Sequence, residues 1–265
     1  MRKTMYVFLA LGLAFLLLWM NCSAVADAVV DGAVGGLSRA ASERAANAVY
    51  KKLAPKEKLP PPATPGWNQF MVMQAQIVFL YAFSPGGLWV STDEFQPGEY
   101  AKFKIEEDGN ESDATIEKAF LKRLDNGNEW WRATWGDDED VWIYEALLSP
   151  EEGRLLRLRA KDANGNEGEV PVSEGTVYSE PTEVTEESIE GAKIGEATIT
   201  TPVGTFNTDH IQYVATTNEG TTEWWLTPEV PGGVIKYQMK DDQEVVWTST
   251  MIQKGDDATT VLKSF

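Results

Sequence analysis

Two copies of one triplet, Glu129-Trp130-Trp131 and Glu223-Trp224-Trp225, stand 94 positions apart in a chain of 265 residues. Neighbouring residues on a strand point to opposite faces, so each copy sets one Trp on each side of its sheet. A sheet with one solvated face cannot bury both rings. The outer ring is then either covered by a second layer or is a contact site. Trp130 shares its face with Arg132, and further on Arg157 and Arg159 alternate with Leu156 and Leu158. If Asn126-Gly127 makes a two-residue turn, Trp130 lies opposite Arg123. A face bearing Trp130, Arg132, Arg157 and Arg159, with Trp225 from the second triplet, could hold an anionic or lipid-like ligand by stacking and charge. The plainer alternative is that the tryptophans are core and the arginines are solvated, since one residue more in the turn swaps the faces.

Other constellations are weaker. Gly136-Asp137-Asp138-Glu139-Asp140 and Asp162-Ala163-Asn164-Gly165-Asn166 are oxygen-rich, and the second resembles the opening of a calcium loop. Its sixth position is Glu167 rather than Gly and its twelfth is Ser173 rather than Glu, and both stretches fall where turns are expected. The single His, His210, follows Asp209 with no Gly-x-Ser-x-Gly beside it. One His and one Cys leave no material for a disulfide or a Cys/His zinc site. With 41 acidic against 23 basic side chains and a net charge of −18, the chain lacks the basic surface of a nucleic-acid binder. No phosphate loop or dinucleotide fingerprint is present. The expectation is a non-catalytic protein with no cofactor and no metal, whose partner is a lipid, acyl or glycan ligand. A hydrolase acting on envelope polymer through carboxylates, or a glycan-binding module using exposed Trp, is the alternative.

Residues 1–26 read as a signal peptide: Arg2 and Lys3, an apolar run from Met5 to Met20, then Ala24-Val25-Ala26 before Asp27. Cleavage between Ala26 and Asp27 removes two positive charges and leaves 21 basic against 41 acidic residues, a charge of −20. Cys22 stands where a bacterial lipoprotein carries its lipid, although Trp19-Met20-Asn21 departs from the usual Leu-Ala-Gly. Residues 4–26 also hold no charge over 23 positions, long enough for an uncleaved anchor. Soluble export, a lipid on Cys22 and an uncleaved anchor all place the remainder outside the cytoplasm, in the periplasm, at the outer membrane or secreted.

The elements that must position these residues follow from composition and period. Residues 27–54 are Ala/Gly-rich, with Val30, Val34, Leu37, Ala41, Ala45 and Val49 at helical steps, a spacer helix. Residues 55–65 carry five prolines in eleven positions and form a stiff linker. The globular domain is 66–265. It opens with an uncharged apolar stretch, Trp67 to Phe83, that reads as a buried helix ending at Ser84-Pro85-Gly86-Gly87. Beyond it the period turns to two, with strands expected at 88–90, 100–105, 116–124, 129–135, 141–148, 155–161, 176–178, 197–201, 208–216, 222–226, 233–239 and 245–251. The fold class is mainly β, an antiparallel meander forming a half-barrel or a sandwich.

Thr201-Pro202-Val203-Gly204-Thr205-Phe206, then Glu223-Trp224-Trp225, then Val230-Pro231-Gly232-Gly233-Val234-Ile235-Lys236 form a further pattern. It resembles a group of uncharacterised bacterial envelope proteins with a strand-rich, half-barrel-like domain, over Ile199 to Met239. Members of that group often carry a Cys soon after the Thr-Phe pair, where this chain has Asp209-His210. The resemblance implies an envelope location and no established activity. Half-barrels of this kind are similar to lipoprotein carriers, which implies acyl binding in a concave sheet.

Overall fold

The structure, a computed structural model, describes residues 65–83, 95–107, 110–137, 140–173, 186–214, 221–241 and 244–265. The signal segment with Cys22 and the Ala26–Asp27 junction, the spacer helix, all of the linker but Pro65, and the strands expected at 88–90 and 176–178 lie outside them.

The uncharged stretch is helix α1, Pro65–Phe83. Proline suits a first helical turn because its φ is already helical and that turn needs no N–H. Trp67, Met71, Ala75, Val78, Phe79 and Ala82 are all buried, a stripe at three- and four-residue steps.

Eleven strands follow: β1 Tyr100–Glu107, β2 Asn110–Arg123, β3 Glu129–Gly136, β4 Val141–Ser149, β5 Arg154–Lys161, β6 Glu167–Val170, β7 Lys193–Thr201, β8 Gly204–Val214, β9 Thr221–Leu226, β10 Val234–Asp241 and β11 Glu244–Gly255. A short helix α2, Glu186–Ala192, precedes β7. All the strands belong to one antiparallel sheet in the order β6-β5-β4-β3-β2-β1-β11-β10-β9-β8-β7. Two meanders are therefore joined where β1 pairs with β11, and the sheet is not closed. This is the half-barrel of the two expected forms. The β7–β8 hairpin folds back until β7 meets β11 and Lys254 lies over the Phe206 ring, 5.4 Å from its centroid.

One face of the sheet, here the inner face, carries α1, which packs on β2, β3 and β6. Ala101, Lys118, Ala133, Tyr144, Ala160 and Gly168 stand side by side across β1 to β6. The small residues in that row make the trough into which a helix can settle. Phe120 stacks on Trp131 at 4.6 Å, and Phe95 meets the edge of Trp131 at 5.5 Å, closing one end of the core.

The Asn-Gly turns correct one expectation. Leu124 N–H donates to Asn128 O (2.8 Å) and Gly127 N–H to Leu124 O (3.0 Å), so the loop holds three residues rather than two. The turn after β5 repeats it, with Asp162 and Gly165 in the same roles, and Gly127 and Gly165 both sit at φ 82°. A glycine in the left-handed region at the third loop position is the bulged hairpin geometry. Together with a bulge in β2, it places Trp130 opposite Lys122, and Arg123 opposite Glu129.

Candidate functional site

The four residues expected on one face do share it. Trp130, Leu147 and Arg157 form one row across β3, β4 and β5, and Arg132, Glu145 and Arg159 form the next. This is the outer face, opposite α1. Its arginines are occupied: Arg132 donates to Glu117 from Nε (3.0 Å) and Nη2 (2.9 Å), Arg157 to Glu169 (3.0 and 3.1 Å), and Arg159 to Glu167 (3.2 Å).

Residues 256–265 form a strap across this face. Ala258 N–H donates to Gly98 O (2.8 Å), where the strap leaves β11. Gly98 has φ 97°, and a Cβ there would stand 2.5 Å from the Asp256 carbonyl oxygen, so glycine is what permits the approach. Arg132 Nη1 donates to Thr259 O (2.6 Å) and Arg157 Nη1 to Ser264 O (3.4 Å). The Phe265 ring lies 5.6 Å from Trp130 and beneath Lys122 at 5.3 Å, while Arg157 covers Trp130 at 5.3 Å. Trp130, Ala119 and Leu121 thereby make a second small core, with Ala258 packed on it.

The strap's anchor is Glu145, with 0% of its surface exposed. Its carboxylate accepts the Val261 and Leu262 N–H groups (2.6 and 3.2 Å) and the Thr260 hydroxyl (2.6 Å), and also the Ser264 hydroxyl. A buried carboxylate is tolerable when donors surround it in this way. Nothing in the period of residues 256–265 announces this, because the strap forms no strand or helix.

Trp225 is not brought to the other four. It lies on the same outer face, but β2, β1, β11 and β10 separate its strand from β3. The two triplets are in opposite phase: Trp130 and Trp225 point outward, Trp131 and Trp224 inward. Trp225 is stacked on His210 at 4.5 Å and 16°, with Lys236 over its ring at 4.7 Å. Beside it the buried Glu223 accepts from Lys240 Nζ (2.6 Å), Gln212 Nε2 (3.1 Å) and His210 Nε2 (3.0 Å). Burial pushes the Glu223 carboxyl up. The hydrogen bonds from Lys240, His210 and Gln212, with the Lys240 charge, outweigh it and hold the group below its ordinary value.

On the inner face, Trp67 Nε1 donates to Asp162 Oδ2 (3.0 Å), tying α1 to the turn after β5. Asp162 also accepts from the Asn166 backbone and side chain (2.9 Å each), so this loop, read from sequence as calcium-like, holds a helix. The side-chain oxygens of Asn68 and Gln74 on α1 are buried without a hydrogen-bond partner. Lys118, in the small-residue row, is buried, and burial pushes its ammonium down to about 7. It lies 5.0 Å from the Phe95 ring centroid. The period-two alternation Ile116, Lys118, Phe120 was the signal for it, since a lysine at that step falls on the apolar side.

Among the described residues no group of three or more His, Cys, Asp or Glu is arranged to hold an ion. Glu145, Asp162 and Glu223 are the buried carboxylates there, and each is engaged by strap, helix or neighbouring strands. No helix among these residues is long and apolar enough to cross a membrane.

No protein-family model matches the chain and no curated protein does either. Solved structures that match the chain include a protein described as exported, with a YmcC-like fold, from Bacteroides fragilis. It is 9% identical, covers 63% of this chain and 99% of its own, and has a TM-score of 0.35. A protein described as a lipoprotein, from Parabacteroides distasonis, is 9% identical over 63% of this chain and 99% of its own, at 0.31. MucB in complex with MucA is 11% identical over 64% of this chain and 54% of its own, at 0.38.

Proposed function

We propose that this chain is an exported, non-catalytic protein of the bacterial cell envelope whose half-barrel holds a hydrophobic or amphipathic ligand, in particular an acyl chain, on its inner face. The observation that carries this is the seat of α1. An uncharged helix packs on β2, β3 and β6 with two of its side-chain amide oxygens buried and unbonded. Each such oxygen costs about 1–3 kcal/mol relative to a satisfied one. An acyl chain brings no polar group along its length, and a carboxylate or phosphate head beside Lys118 would set an opposite charge near that buried ammonium.

The Trp130, Arg132, Arg157 and Arg159 face supports an external lipid or glycan less well, because such a ligand has to displace the strap. Trp225 is capped by His210 and Lys236. Location outside the cytoplasm rests on the export segment, with its Ala24-Val25-Ala26 site and Cys22. Mass spectrometry of the mature N-terminus separates a start at Asp27 from a diacylglycerol on Cys22.

Ligand binding is tested by energy transfer from tryptophan to a conjugated fatty acid. Trp67, Trp131, Trp135 and Trp142 are all buried in the core on the inner side, so a bound chain lies within transfer range. Saturable transfer that palmitate displaces is the expected result. No saturable transfer up to the limit of ligand solubility contradicts the reading.

A further inference from the structure

The outer face of β2–β5 is built to hold an extended peptide, and its contacts with the strap show how. Most of the polar contacts go to groups that any peptide carries: the Thr259 and Ser264 carbonyls to Arg132 and Arg157, the Val261 and Leu262 N–H groups to Glu145. Side-chain selection comes from a few points, among them the buried Leu262. The Thr260 and Ser264 hydroxyls meet the Glu145 carboxylate, and Phe265 lies against Trp130. Thr260 Oγ1 in turn accepts the Ser264 N–H (3.0 Å), which folds the strap into the turn that presents both hydroxyls to one carboxylate.

The strap is not part of the sheet. Its attachment is made by side chains of β2 to β5 and by one backbone bond at Ala258, so releasing it breaks no strand ladder. Asp256 and Asp257 are the exposed link between β11 and the docked part. A docked segment on a short link, held by contacts that any copy of itself can make, is the condition for exchange between subunits.

We propose that this face is a peptide-binding groove, filled in cis by residues 259–265 and able to take the same residues of a second copy, giving a strap-exchanged dimer. The sequence Thr-Val-Leu-Lys-Ser-Phe, 260–265, is the recognition element, and a second copy supplies it with every selecting group in place.

Two variants test this. A chain stopping at Gly255 keeps the groove and lacks the strap. The full chain carrying Glu145→Gln keeps the strap and presents an amide N–H₂ to its donors. Light scattering is expected to show a monomer for each alone and a one-to-one complex for the mixture. A labelled peptide of residues 256–265 should bind the shortened chain and compete with that complex. Glu145→Gln in the shortened chain should weaken the peptide by about tenfold or more, the effect of losing one charge-assisted hydrogen bond. Two folded variants that form no complex overturn the proposal. Should the shortened chain not fold, the wild-type protein decides. Warmed to its unfolding midpoint with excess labelled peptide and cooled, it should retain the peptide in place of its own strap. Retention no greater than that of a scrambled peptide overturns the proposal equally.

Discussion

Replacing Lys118 by Met should stabilise the protein at neutral pH and remove a rise in stability on the alkaline side. Lys118 is buried between Ala101 and Ala133 on the inner face, and its ammonium is pushed from 10.5 down to about 7. The unfolded chain keeps the ordinary value, so between pH 7 and 10.5 the unfolded state holds more protons than the folded one. Stability therefore rises with pH across that window, and the penalty is complete below it. One pKa unit corresponds to about 1.4 kcal/mol. The folded state is thus held back by about 4 kcal/mol at pH 7 and by only about 1 kcal/mol at pH 9.5, a gain of about 3 kcal/mol. Against a typical domain stability of about 5–15 kcal/mol this is large. Met keeps most of the apolar stem while removing the ammonium and its contact with the Phe95 ring. The assay is urea unfolding of wild type and Lys118→Met at pH 7 and 9.5. Other lysines and the tyrosines titrate in both proteins, so the difference between them isolates Lys118. The gap between the two proteins should be about 3 kcal/mol smaller at pH 9.5 than at pH 7. Parallel curves refute the placement of a desolvated lysine in this row.

Glu223→Gln should lose about 1–3 kcal/mol at pH 7, the worth of hydrogen bonds to a buried charge. Because the folded carboxyl is held below its ordinary value, that stabilisation is present above the usual carboxylate range and disappears as pH falls through it. The gap between the two proteins should shrink as pH falls below the ordinary carboxylate range, and a gap that does not change with pH counts against the cluster. Gly98→Ala forces a Cβ to 2.5 Å from the Asp256 carbonyl at φ 97°. It should cost about 2 kcal/mol or more and loosen the strap, read as faster hydrogen exchange of the Val261 and Leu262 amides. Trp67→Phe removes the 3.0 Å bond to Asp162 and should cost about 2 kcal/mol by denaturant unfolding, an unchanged midpoint showing that α1 is held elsewhere.

The sheet was legible because period-two alternation is local. Ten of the eleven strands among the described residues descend from that pattern, β2 having read as the shorter 116–124 and β7 as 197–201, and α1 reads directly as an uncharged run closed by Ser-Pro-Gly-Gly. β6 was missed because Glu167-Gly168-Glu169-Val170 holds one apolar residue and is a strand only by pairing with β5. β7 was read only from residue 197, since Lys193-Ile194-Gly195-Glu196 offers no clean alternation. The seven residues of α2 are too few to show a helical period. The sharing of a face by Trp130 and Arg132 survived the turn correction, because residues two apart on a strand stay together whatever the loop length. What lies opposite Trp130 depended on register, and register there was set by one extra loop residue and a bulge. The strap was invisible for a different reason. It is held by one buried carboxylate and two arginines reaching it from strands more than 100 residues away, and no local pattern encodes such a contact.

The central claim is that α1 occupies the seat of an acyl ligand, and hydrogen exchange of the α1 amides with and without a long-chain fatty acid tests it most directly. At saturating ligand, protection across residues 65–83 should fall while that of β2 to β5 is kept, because the helix leaves and the sheet stays. Saturable fatty-acid binding that leaves the protection of α1 unchanged, or raises it, would contradict the account.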